Sequence, residues 1–112
     1  MKINTKQVGN VTVLEVEGKI TIGAGDLALR QAVQQALDGG GQNLVIDLGR
    51  VTTIDSSGVG ELVSSYTSAT NRGAKLKLAR IPPKVNDVLT ITQLITVFDV
   101  YDTVDEAVRS FA

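Results

Sequence analysis

Leu44-Val45-Ile46-Asp47-Leu48-Gly49-Arg50-Val51-Thr52-Thr53-Ile54-Asp55-Ser56-Ser57-Gly58-Val59-Gly60 passes from an apolar stretch into a cluster of capping and hydroxyl residues. Leu44 to Leu48 is nearly unbroken in its apolarity, the pattern of a central strand buried on both faces, and such a strand needs cover above and below. From Val59 the period changes. Val59, Leu62, Val63, Tyr66 and Ala69 recur at spacings of three and four, marking one apolar face of a helix that closes near Arg72-Gly73. Between strand and helix, Asp55-Ser56-Ser57-Gly58 leaves the first helical N–H groups without intrahelical partners, so the junction favours an anion.

Outward from this junction, strands and helices alternate. Ile3 to Val8 and Val11 to Glu17 read as strands joined by Gly9-Asn10, a dipeptide that tolerates the positive φ of a tight hairpin. Lys19-Ile20-Thr21-Ile22 reads as a third short strand, with Gly18 before it as a bend or bulge. Leu29, Val33, Ala36 and Leu37 form a helical stripe that Asp26 is placed to cap and Gly39-Gly40-Gly41 to end. Lys75-Leu76-Lys77-Leu78-Ala79 alternates as a strand, and Pro82-Pro83 allows a helix carrying Val85, Val88 and Leu89. Val97 to Tyr101 is a short β-like run. Thr103 and Glu106 have capping-box spacing before a last helix with Ala107, Val108 and Phe111. The order predicts a single α/β domain over residues 1–112: a mixed sheet of about four strands, an N-terminal hairpin and four helices.

Composition excludes much. With 112 residues and 43% apolar side chains, roughly two thirds of the unfolded chain's surface can be buried. Eleven basic and twelve acidic residues give a net charge of −1, so there is no electrostatic footprint for nucleic acid or an anionic membrane. The absence of cysteine and histidine removes disulfides, thiol nucleophiles, most zinc sites and the usual general base near neutral pH. A Ser-His-Asp hydrolase cannot be assembled, so Ser57 is a poor catalyst and no enzyme is expected. Met1-Lys2-Ile3-Asn4-Thr5 has no apolar stretch of signal-peptide length, and no run reaches the ~20 apolar residues of a membrane span; a cytoplasmic location is expected.

Gly23-Ala24-Gly25-Asp26-Leu27-Ala28 fits the dinucleotide fingerprint G-x-G-x-x-(G/A), with Asp47 beyond it as a ribose ligand. The chain is too short for two mononucleotide-binding halves, a hairpin precedes the strand and Asp47 falls within an apolar run, so the segment reads as a glycine loop before a helix. Asp47 and Asp55 as paired carboxylates lack a third ligand, and no metal or cofactor is expected. A receiver-type phosphoaspartate domain lacks its acidic pair, because Glu15 and Glu17 read as solvent-facing. At Asp55-Ser56-Ser57-Gly58, helix capping needs one such residue, yet Asp55, Ser56 and Ser57 stand together behind Thr52 and Thr53. Capping leaves the excess unexplained.

The stretch from Leu44 to Gly60 resembles the signature of STAS domains, in particular bacterial anti-sigma factor antagonists, and flanking segments extend the resemblance over nearly the whole chain. The resemblance implies a non-enzymatic partner switch. Ser57 stands at the family's phosphorylation site, which leaves capping to Asp55 and Ser56, and Asp55, Ser56, Ser57, Gly58, Val59, Gly60 and Glu61 form the partner-binding switch loop. The unmodified protein would bind an anti-sigma factor that is also a serine kinase, releasing sigma factor; phosphorylation would block binding and a phosphatase would reset it. The alternative is a non-switching scaffold subunit of a stressosome or lipid-transport complex; in the stressosome-like case Thr53 would be a second acceptor. Glu61 departs from the pattern, placing a charge where many relatives carry a small or apolar residue, and Thr92-Gln93-Leu94 stands where Thr-Gly-Leu is common. At one turn beyond Ser57, Glu61 is expected to face the partner. Gly58 and Gly60 serve either close approach of a kinase or tight packing of the helix start.

Overall fold

Five strands form one sheet in the order β1-β2-β3-β4-β5: Lys2–Val8, Val11–Ile20, Asn43–Ile54, Lys75–Ala79 and Val100–Tyr101. The computed structural model describes Met1–Ala112. β1 is antiparallel to β2, as the hairpin at Gly9 (φ 60°) requires, and every later pair is parallel. Three helices connect the later strands, α1 (Ala24–Asp38), α2 (Ser56–Asn71) and α3 (Pro83–Ile91), and α4 (Val104–Arg109) follows β5.

β3 decides the layering. Leu44, Val45, Ile46, Asp47 and Leu48 are all buried, with alternate residues committed to opposite faces. Leu44, Ile46 and Leu48 pack with Leu29, Val33 and Leu37 of α1, Val59 and Leu62 of α2, and Val85 and Leu89 of α3. Val45 points the other way, with Val11, Val13 and Ala79, under Ala107 of α4. Helices therefore cover both faces. Because α4 is short, it leaves bare the end of its face where Glu15, Glu17, Asp47, Arg50 and Arg80 line a recess of about 400 Å³.

The third short strand expected at Lys19 does not exist as a separate element. β3 continues to Ile54 and offers partners all the way, so Lys19 and Ile20 pair with Thr53 and Ile54 as the end of β2. Gly18, at φ 107°, takes up the bend, and the register slips on either side of it. Beyond Ile20 the chain leaves the sheet. Val97 to Tyr101 is likewise shorter as a strand than its composition implied: Ile95–Val97 makes a 3-10 turn, Phe98 is buried against Tyr66 and only Val100–Tyr101 pair.

Asp26 does not cap α1. The N-cap is Gly23 and the helix begins at Ala24, because the helix start packs directly on β2: a Cβ on Gly25 would lie 2.3 Å from the Lys19 carbonyl oxygen. Asp26 is instead in the first turn, where the helix dipole favours it, with Oδ1 buried and unpartnered. Thr103 does cap α4, its Oγ1 accepting from the Glu106 N–H at 3.1 Å and lying 3.1 Å from Glu106 Oε1.

Candidate functional site

The joint between β3 and α2 is built around one carboxylate. Asp55 is extended (φ −109°, ψ −174°), so its side chain turns back over the helix start and Oδ1 accepts from the Gly58 N–H at 2.9 Å. Its other oxygen, Oδ2, accepts from the Ile22 N–H at 3.0 Å, and the Asp55 N–H donates to the Ile20 carbonyl at 3.3 Å. One residue thus caps α2 and pins the loop that leads into α1. The N–H of Ile22, and then that of Gly58, hold the Asp55 carboxyl below its ordinary value of 3.8.

That depression has a sign. The folded protein holds this proton less tightly than the unfolded chain, so the tie contributes stability above pH 3.8 and loses it as pH falls through the lower folded value. The gap in melting temperature between wild type and Asp55→Asn is therefore expected to be constant from pH 7 to about 5 and to shrink below about 4. A gap that stayed level down to pH 2.5 would show that the ionised carboxylate is not what matters.

Ser57 is the second residue of α2, partly exposed, and its hydroxyl makes no hydrogen bond to the protein. Ser56 does not share the capping expected of it: as the first helical residue it is exposed, and Asp55 alone supplies the cap. The two glycines separate. A Cβ on Gly58 would meet the Ile20 carbonyl oxygen at 2.1 Å and Ile54 Cγ1 at 2.6 Å, whereas one on Gly60 would meet nothing within 4 Å. Gly58 lets α2 sit against the end of β2, and Gly60 leaves the outer surface open. Val59 is buried in the core.

Glu61 does not face outward. It is 4% exposed and is bonded by Arg30 of α1, whose Nε donates to Oε1 at 2.8 Å. The reason is α1: its closeness to α2 covers this face of the helix, and Arg30 brings the cation that makes burial tolerable. Sequence reading missed Arg30, whose only signal was a lone base in a helix opposite an acid that broke an apolar pattern. It also missed Ile22, apolar yet 75% exposed, whose backbone N–H holds Asp55 from the neighbouring loop. Asp47 is remote from Asp55 in role: its Oδ1 accepts from Arg80 Nε at 2.9 Å and from the Gly49 N–H at 3.0 Å. Arg80 holds a positive φ of 55°, and the bond and charge of Asp47 raise its affinity for its proton. The two aspartates do not converge, and no group of three or more metal-ligating acids assembles. No helix is long and apolar enough to cross a membrane.

The STAS domain profile matches residues 2–107. The chain belongs to the STAS domain family. A Thermotoga maritima protein described provisionally as an anti-sigma factor antagonist is 28% identical over 104 residues, covering 93% of this chain and 92% of that one. Its crystal structure superposes with a TM-score of 0.87 at 27% identity, over 96% of this chain and 92% of the other. An anti-sigma factor antagonist from Mycobacterium paratuberculosis shares the fold at 24% identity and a TM-score of 0.83, over 97% of this chain and 92% of the other. The Bacillus cell fate determinant SpoIIAA, in its phosphorylated form, shares it at 18% identity and a TM-score of 0.76, over 99% of this STAS domain and 100% of its own chain.

Proposed function

We propose that this STAS domain is an anti-sigma factor antagonist that works by phosphorylation-controlled partner switching, with Ser57 as the acceptor. Unmodified, it binds an anti-sigma factor that is also a serine kinase, in the cytoplasm, and sigma factor is set free; phosphorylated on Ser57, it no longer binds until a phosphatase restores it. The observation that carries this reading is the spare hydroxyl. Asp55 satisfies the helix start alone, so Ser57 sits at an exposed helix N-terminus with no structural duty.

A phosphate there adds about −1.5 to −2 charge where the helix dipole tolerates it, so the fold survives while the surface changes. A fold-mate that exists in a phosphorylated form supports a switch of this kind. Incubation with ATP and a cognate serine-kinase anti-sigma factor is expected to add one phosphate, about 80 Da, to the wild type and none to Ser57→Ala. No mass gain, or a gain that persists in Ser57→Ala, would remove Ser57 from the mechanism.

A further inference from the structure

Arg30 is the only basic residue on either α1 or α2. Its Nε holds the buried Glu61, yet the side chain is 57% exposed and its Nη groups have no hydrogen-bond partner in the protein. The two helices run in the same direction, since Arg30 meets Glu61 near their starts and Asp38 meets Arg72 at their ends. Glu61 follows Ser57 by one helical turn, which places both on one face of α2 with Cβ atoms roughly 6 Å apart. Helical side chains lean toward the N-terminus, so Arg30 and Glu61 both lean toward the level of Ser57.

We propose that Arg30 is the internal receptor for a phosphomonoester dianion on Ser57, leaving Glu61 to bind it. This rests on the reading of Ser57 as an acceptor. A guanidinium binds phosphate by two parallel N–H donors, and a dianion attracts it more strongly than one carboxylate does. The neighbouring acids cannot take that part: both oxygens of Asp55 accept backbone N–H groups, and Asp26, one turn before Arg30, adds a buried oxygen without a donor. The exchange does not cancel the added charge but relocates it. Glu61 is left in the contact between α1 and α2 without its cation, so modification at Ser57 is also felt along α1.

The test places phosphoserine at position 57 of the full chain during translation, which makes it independent of any kinase. Phosphorus NMR then follows the phosphate's second ionisation, near pH 6 for an exposed phosphoserine. Because Arg30→Gln alone strands Glu61, the reference is the double variant Arg30→Gln/Glu61→Gln. The phosphate is expected to ionise roughly 0.5 to 1 pH unit lower in the wild type than in the double variant, and lower still in Glu61→Gln, where the competitor is gone. The Arg30 Nε–H resonance is expected to move on phosphorylation of the wild type. Identical phosphate titrations in wild type and double variant overturn the proposal. A phosphate that responds to Arg30 while no kinase modifies Ser57 supports the receptor and sinks only the switching function.

Discussion

Ser57→Asp is expected to weaken binding to the anti-sigma partner roughly 30- to 1,000-fold, while Ser57→Ala binds as the wild type does. A charge pressed into an interface without a paired cation costs about 2–4 kcal/mol, and each ~1.4 kcal/mol is tenfold in affinity. Structure gives the reason to expect no escape. Asp55 is already engaged by two backbone donors, and Arg30 is held by Glu61, so a single carboxylate at position 57 adds to a surface whose nearest cation is committed. Phosphate carries more charge than Asp but draws Arg30 to itself, so the Asp variant isolates the effect of an unpaired charge at this position. Calorimetry on the purified pair measures it. Equal affinities of the Asp and Ala variants would rule out the electrostatic switch, and a large assembly in light scattering, indifferent to either substitution, would favour the scaffold role.

Gly58→Ala is expected to cost at least about 3 kcal/mol, whereas Gly60→Ala, two residues along the same helix, is expected to stabilise by up to ~1 kcal/mol. The added methyl at position 58 meets the backbone oxygen of Ile20 at 2.1 Å. That oxygen accepts the Asp55 N–H, so it cannot move away without loosening the junction itself. At position 60 the methyl enters open space and only the helix propensity changes. For a domain of this size the contrast amounts to a fall of roughly 12 °C or more in melting temperature against a rise of a few degrees. A Gly58→Ala protein melting within 3 °C of wild type would mean that α2 can shift off β2 without penalty.

Both variants bear on how far the chain could be read without its fold. The helical stripe from Val59 to Ala69, the glycines after α1, the prolines before α3 and the Thr103 cap were legible because each is a relation between residues one turn apart or less. Asp55 was legible as a cap for the same reason, and the unbroken run at Leu44 marked the central strand. Lys19 to Ile22 misled because its β pattern is real but continues a strand already begun, and only the length of β3 decides that. Glu61 misled because helical register places it on the face of Ser57 and says nothing about what covers that face.

Sequence by itself determined the element order, the doubly buried central strand and a helix start with more hydroxyls than capping uses. Tertiary structure alone decided what surrounds them. Asp55 bonds Ile22 across 33 residues of sequence, Arg30 bonds Glu61 across 31 and Arg80 bonds Asp47 across 33. Such pairs form because β2, β3 and β4 are neighbours and their helices share a face, whereas periodicity and capping report only on residues within a turn of one another.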